Sequence, residues 1–450
     1  MLEDRLLGEK QRGERAPGRQ RAIVTAIAGV VLFLATVTQS PARFLYDATG
    51  YWNGSVALAN GGDPYIAGVM TLRGVLTSLL YLPAALAVKG GDPSAGGLAV
   101  LVENSLLVAF VGVLLLPGLL RAWGPVTSRM VWVCAGLTWI AVGRFAPYPL
   151  MDLWGAVVSL AAVVALQRRT TIGLIGAGLL AGIAFNVRPA YLLPLLMMVG
   201  VVFLTRRLSG MWFVGGAVVA LLPQSIMNLA HGVSWIPWPR DMTALTQQQA
   251  DHASYIVRYD TAVYGPVRNP QQFFCDPSMA QAVGNHPPGS TRELVSLYLH
   301  NPSQSFVFLL EKASAAVHWP LSAPYLSPGG AGDHLFALLV TAITVVGAAA
   351  LAHGQLQSGV RSTPLPVWAT LAVWLGSLTT LVTPSPESRF ALPLVLLGIA
   401  GCSALLRQRP GKRWIAGTIL MVVGVFALGN LGLSHPAPAG GISPAICTKA

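Results

Sequence analysis

Charge is the scarcest commodity in this chain. Only 10% of its 450 residues are Asp, Glu, Lys or Arg, against about 25% in an average soluble domain, and a soluble fold is excluded on that count. Acids are scarcer than bases, 17 against 29, which leaves a formal net charge of +12. Such a charge fits either a nucleic-acid binder or a polytopic membrane protein. No basic patch interleaved with aromatics occurs, and the arginines sit in short hinges between long apolar runs, so the distribution favours the membrane and speaks against nucleic acid. Cysteines number four, too few for a disulfide scaffold. CxxC and HExxH spacings are missing and the eight histidines are scattered, so no metal signature is present.

What the chain has in excess is apolar length. Hydrophobic residues make up 54% of it, and the mean hydropathy is +0.60. A span needs roughly 20 apolar residues to cross a hydrocarbon core about 30 Å thick. Eleven segments qualify as crossings, near 22–40, 98–120, 130–147, 152–167, 172–187, 190–205, 211–230, 334–352, 364–384, 390–406 and 414–432. The expected fold is therefore an all-α polytopic membrane protein, a bundle of about 11 transmembrane helices. Residues 1–21 hold six Lys/Arg and four Asp/Glu. They are too polar for the core of a signal peptide, and no small-residue cleavage site follows, so the first apolar helix is expected to stay as an anchor.

The positive-inside rule sets the orientation. With residues 1–21 as a cytoplasmic tail, the inner segments carry Arg121, Arg129, Arg168, Arg169, Arg206, Arg207, Arg361, Arg407, Arg409, Lys412 and Arg413, which puts 17 of the 29 basic residues inside. That count requires the segment Gly74 to Val88, apolar but only 15 residues long and holding Pro83, to be a juxtamembrane or re-entrant helix on the outer side. The resulting layout has a membrane core at 22–230 with an outer loop at 41–97, a large extracytoplasmic loop at 231–332, further membrane helices at 333–432 and an outer tail at 433–450. The elaborated surface faces outward, which points to work on something extracytoplasmic or delivered by lipid.

A carboxylate at or in a membrane span is costly and defaults to function. Asp47 follows the first span in FLYDATGYW, with Tyr51 four residues on, and Asp152 opens another span at the same face in RFAPYPLMDLWG. The plain alternatives are a hydrated interfacial acid for Asp47 and a helix-capping or first-turn acid for Asp152. Outside the large loop and the tail, the outer face has only Arg43, Arg73, Lys89, Arg144, Arg188 and Arg389 as cations. Arg73, Arg188 and Arg389 each sit at an apolar helix end against the positive-inside trend. Arginine grips phosphate through a planar fork, so three together suggest an anionic lipid headgroup; the alternative is snorkelling to ordinary phospholipid. Gly176, Gly178 and Gly182 are not a dinucleotide fingerprint; they read as close helix packing through Gly178 and Gly182. Glu103 and Asn104 read as an interhelical hydrogen-bonding pair, and His286 as part of a structural turn. Cys275 and Cys447 share the oxidising side and are expected to pair, whereas Cys134 and Cys402 fall within spans.

The order of these features resembles the GT-C superfamily of integral membrane glycosyltransferases, which use polyprenyl-phosphate sugars. Asp47 and Tyr51 match its D-x-x-x-Y after the first span, and Gly61 to Tyr65 (GGDPY) a Gly-rich stretch. Arg73 with Gly74 to Val88 matches a basic residue before a juxtamembrane helix. Asp152 matches a second outer acid, Arg188 and Pro189 an R/K-P turn, and Arg389 to Pro393 a late R-[FY]-x-L-P. The resemblance covers about the first 230 residues and the 384–405 region. Asp47 is followed by Ala48 and Arg73 by Gly74, where the protein O-mannosyltransferase and lipid A aminoarabinose transferase branches often carry Asp-Glu and Lys-Pro-Pro, so the chain looks closer to actinobacterial mannosyl- or arabinosyltransferases of the cell envelope. The resemblance implies an inverting transfer at the outer face of the plasma membrane, with Asp47 and Asp152 catalytic and Tyr51, Arg73, Arg188 and Arg389 binding substrate. The partners it implies are a polyprenyl-phosphate sugar donor, a cell-envelope acceptor and membrane lipids. No organic cofactor is implied; whether Asp152 orients the acceptor or holds a divalent cation with Asp47 stays open. A lipid or solute transporter and a glycan ligase using polyprenyl diphosphate donors are the competing classes.

Overall fold

A computed structural model of the protein describes residues 2–42, 44–63, 65, 71–88, 93–258, 272–284, 287–318, 331–358, 363–382 and 388–436. Arg43, Lys89, His286, Arg361 and Cys447 lie outside the described residues.

The described chain is helical apart from one short antiparallel strand pair, β1 (Ile256–Arg258) with β2 (Gln272–Phe274). Its first helix, α1 (Leu2–Val37), includes the polar segment expected as a tail, so residues 2–21 continue the anchor helix. Then come α2 (Tyr46–Ala59), α3 (Thr77–Leu80), α4 (Leu82–Ala87) and α5 (Pro93–Phe110). A π-helical stretch, Val111–Leu115, joins α5 to α6 (Leu116–Leu120) just before Pro117, where a ring without an N–H disturbs the regular ladder. The membrane-type helices continue with α7 (Ser128–Val142), α8 (Met151–Ala165), α9 (Thr171–Val187), α10 (Leu192–Arg206) and α11 (Met211–Ala230). Four helices occupy the large loop: α12 (Met242–His252), α13 (Pro277–Val283), α14 (Thr291–His300) and α15 (Pro302–Val317). The last four are α16 (Ala331–Ser358), α17 (Leu365–Val382), α18 (Leu392–Ala404) and α19 (Lys412–Gly432).

Each of the eleven apolar segments is largely helical, with 98–120 divided among α5, the π-helical stretch and α6. By length and composition, seven helical stretches suffice to cross a membrane: Arg19–Val37, Ala95–Trp123, Pro189–Ala230, Gly332–Gln357, Leu365–Val382, Arg389–Arg407 and Lys412–Gly432. The apolar helices Met151–Ala165 and Thr171–Val187 are shorter. Pro189–Ala230 is not one rod, because the chain turns at Arg207, whose φ is 49°. A methyl group on Gly178 of α9 would overlap the Phe213 carbonyl of α11, and one on Gly182 would crowd the Ala217 carbonyl. This pairing in the same sense makes α9 and α11 parallel, so α10 returns the chain between them. The glycines thus serve close helix packing, as expected.

Two expectations need correction. Gly74 to Val88 is not one helix: it breaks at Tyr81 into α3 and α4, with Pro83 in the first turn of α4, where its fixed φ is tolerated. Nor is 231–332 simply a loop beside the bundle. Glu311 of α15 packs at Gly432 of α19, Ser314 at Gly429, and His318 stacks on Phe426, while Thr341 of α16 donates to the Val317 carbonyl. Rising numbers on α15 meet falling numbers on α19, so α15 runs down alongside the end of α19 and is packed among the apolar helices.

Cys134 and Cys402 are free thiols in α7 and α18. Cys275 is disulfide-bonded, and its N–H donates to the His435 carbonyl at 2.8 Å, so the segment after α19 folds back over the β pair.

Candidate active site

Asp152 and Arg188 meet because α8 and α9 are neighbours joined by a short turn, which brings the start of one beside the end of the other. Asp152 lies in the first turn of α8, and the N-cap position is Leu150, with no side-chain cap. The acid therefore does not cap the helix, although the helix dipole favours it there. Arg188 is held extended, φ −146° and ψ 111°, as a residue before proline must be, and this ends α9. Its Nη1 forms an ion pair with Asp152 Oδ1, and the two side chains are only 5% and 1% exposed.

Arg389 comes from a distant part of the chain, on the 3₁₀ turn Ser388–Ala391 that leads into α18. Its Nη2 donates to Asp47 Oδ2 at 2.9 Å, and its Nη1 lies 3.8 Å from Asp152 Oδ2. Arg389 therefore bridges the two acids. The Phe390 ring underlies both guanidinium groups, 3.8 Å from Arg188 Cζ and 5.5 Å from Arg389 Cζ, a cation–π platform worth more where water is excluded. Tyr51, one turn after Asp47 on α2, accepts from Arg73 Nε at 3.0 Å and is fully buried. All six residues singled out from the sequence thus belong to one cluster.

Burial works against ionisation of Asp47. The attraction of Arg389, Arg73 and Arg188, with the hydrogen bond from Arg389, outweighs burial and holds its carboxyl below the usual carboxylate range. The side chain is not sealed, since 30% of its surface stays open.

A narrow cavity adjoins the cluster, lined by Asp152, Arg188, Tyr191, Ser377, Arg389 and Phe390, among others. Its volume is about 10 Å³, which is room for about one water. Ser377 Oγ is buried there with no hydrogen-bond partner among the described residues, so a donor stands ready for an entering oxygen.

Sequence reasoning missed the scaffold that presents Arg73. The Gly74 N–H donates to the Asn186 carbonyl at 2.8 Å, an approach that a side chain at Gly74 would block. Val75 N donates to Gln224 Oε1 at 2.8 Å and Leu76 N to Asn186 Oδ1 at 3.0 Å. Gln224 in turn donates to Asn228 Oδ1 at 2.9 Å, and Tyr65 of the GGDPY stretch also donates to Asn228. Next to them His231 pairs with Asp63 at 2.6 Å; the Met227 carbonyl and then Asp63 raise its pKa. Buried amides near a run of three apolar-helix ends were the available signal. Asn104 behaves as read, bonding Ala146 O at 3.0 Å, Tyr148 O at 2.9 Å and the Tyr81 hydroxyl. Glu103 accepts from Ala84 N at 3.3 Å, at the start of α4.

The donor set does not suit a divalent cation between the acids. Each carboxylate already faces a guanidinium, and three arginines against two acids leave an excess of positive charge where the ion would sit. Among the described residues no group of three or more His, Cys, Asp or Glu is placed to hold a metal. Asp152 faces Arg188 and Arg389 as an ion-pair partner, while neither of its buried oxygens has a hydrogen-bond partner among the described residues. No family model, curated protein or solved structure matches the chain, so function has to be read from the geometry of this cluster.

Proposed function

We propose that the chain is an inverting membrane glycosyltransferase that moves a monosaccharide from a polyprenyl-phosphate donor to an extracytoplasmic lipid, glycan or protein acceptor. One observation carries the proposal: a partly open carboxylate, Asp47, stands against a buried arginine pair, Arg188 and Arg389, beside a cavity that holds an unpartnered hydroxyl. A transporter has no need of a carboxylate fixed to cations at one end of the bundle; it would want polar groups through the midplane.

In the reaction, an acceptor hydroxyl gives its proton to Asp47 while its oxygen forms a bond to the anomeric carbon. The bond from that carbon to the phosphate oxygen breaks, and the electron pair leaves on the polyprenyl phosphate. Attack opposite the leaving group inverts the anomeric centre. Arg188 and Arg389 neutralise the charge that grows on the phosphate, with no reorganisation of solvent at the moment of reaction. Asp152 positions the two arginines, and Tyr51 positions Arg73.

On this reading the eleven apolar helices are eleven crossings of the plasma membrane, with the N-terminus cytoplasmic and the cluster at the outer face. In support, the turns bearing Arg121, Arg168, Arg206 and Arg407 fall at the helix ends away from the cluster, where the positive-inside rule wants them. Incubating the purified protein in nanodiscs with short-chain prenyl-phosphate monosaccharides and candidate acceptors tests the proposal. Release of prenyl phosphate with a new inverted glycosidic bond supports it, and failure across hexose and pentose donors with an envelope-lipid extract as acceptor would refute it.

A further inference from the structure

The base assigned to this site is already occupied. Asp47 Oδ2 accepts from Arg389 Nη2 at 2.9 Å, and the same guanidinium lines the cavity in which a phosphate would meet Arg188 and Ser377. That cavity takes about one water, far less than a phosphate. Of the charged groups around it, Arg188 is packed on Phe390 and ion-paired to a fully buried acid. Arg389 reaches both places: it lines the cavity, its Nη1 lies 3.8 Å from Asp152 Oδ2, and its Nη2 holds the partly open Asp47. Arg389 is therefore the side chain whose displacement would both widen the cavity and uncover Asp47.

We propose that the donor phosphate and Asp47 compete for Arg389, so that donor binding draws the guanidinium away and frees the carboxylate for the acceptor. This rests on the transferase reading above and adds an order to it: donor first, acceptor second. An acceptor arriving first meets a carboxylate with one oxygen engaged by a cation. Once the phosphate has taken Arg389, the positive field at Asp47 falls, and the carboxylate becomes a stronger base at the step that needs one.

Competition has a signature that needs neither acceptor nor turnover. Farnesyl phosphate, a short lipid phosphate, is titrated calorimetrically into the full-length protein in nanodiscs. Asp47→Asn keeps size and polarity but gives up the charge that holds Arg389, so it should bind farnesyl phosphate about threefold tighter or more, the scale of coupling expected between groups in one ion-pair network. Arg389→Gln should weaken binding by about tenfold or more. In the Arg389→Gln background the further change Asp47→Asn should give no gain, because nothing is left to compete for. A gain that persists in that background would be simple repulsion between two anions and would overturn the proposal. Equal or weaker binding by Asp47→Asn would overturn it too, while leaving the transferase reading in place. Should Asp47→Asn not fold, by thermal unfolding in the same nanodiscs, Asp47→Ser carries the same expectation. Absence of farnesyl phosphate binding by the unmodified protein would remove the transferase reading and this inference together.

Discussion

Arginine does two different jobs at the two ends of this bundle. At one end Arg188 and Arg389 are buried, each against a carboxylate, and Arg73 is buried against Tyr51. At the other end the turns carrying Arg121, Arg168, Arg169, Arg207 and Arg409 leave these side chains exposed, and Arg407 donates to a backbone carbonyl, that of Pro125, at 2.9 Å. A guanidinium in water needs no partner, whereas a buried one without a counter-charge carries a penalty of several kcal/mol. Arginines with fixed acid or hydroxyl partners thus lie at one end, and solvated arginines at the other, as the proposed function expects.

Breaking the built end tests the difference most severely. Asp152→Ala leaves Arg188 buried without its acid and should destabilise the protein by about 3–5 kcal/mol, read as a lower thermal midpoint in nanodiscs. The double change Asp152→Asn with Arg188→Gln should recover part of that loss, since it removes both charges together. If Asp152→Ala melts like the unmodified protein, the pair is not buried as described. Next in size, Arg389→Gln should raise the donor Michaelis constant by the worth of a charged hydrogen bond, about 1.5–3 kcal/mol, with the thermal midpoint shifted far less than by Asp152→Ala. An unchanged Michaelis constant would return Arg389 to a structural role.

Acid should affect the two ends differently as well. The folded-state pKa of Asp47 lies below its ordinary 3.8, so its ion pair contributes stability at pH values above about 4. That contribution declines as pH falls from the unfolded value toward the lower folded pKa, and is gone below it. Asp47→Asn should accordingly flatten the pH dependence of unfolding below pH 4 and leave it unchanged at pH 6 to 8; an altered profile near neutrality would contradict the assigned shift. The smallest effect belongs to the basic end, where Arg169→Gln should change stability by no more than about 0.5 kcal/mol.

Much of this was legible in the sequence, and the physical reason is cost. Charges at membrane helix ends are rare enough that Asp47, Asp152, Arg73, Arg188 and Arg389 stood out, and the cluster unites them. That the apolar runs are helical followed from their length, although seven helical stretches, not eleven, are long and apolar enough to cross a membrane among the described residues. Amides carry no such signal: Asn186, Gln224 and Asn228 each blend into an apolar run, and their purpose appears only when α9 and α11 bring them under the segment bearing Arg73. Nor did hydropathy place α15, whose 16 residues mix Phe308 with Glu311, Lys312 and His318 nearby. Its polar groups are buried by neighbours from distant sequence, with Lys312 donating to the Ala253 carbonyl at 2.8 Å. The role of Asp152 was open for a similar reason, since only the fold shows it buried and facing two arginines.

The central claim is that the end with paired arginines performs transfer and the other end does not. Release of prenyl phosphate from a short-chain prenyl-phosphate monosaccharide, measured with acceptor present, compares Asp47→Asn with Arg169→Gln in one experiment. The account predicts that Asp47→Asn loses about 10² or more of the rate, as expected for a general base, with the fold intact, and that Arg169→Gln keeps the rate of the unmodified protein. Retention of more than a tenth of that rate by folded Asp47→Asn would contradict it.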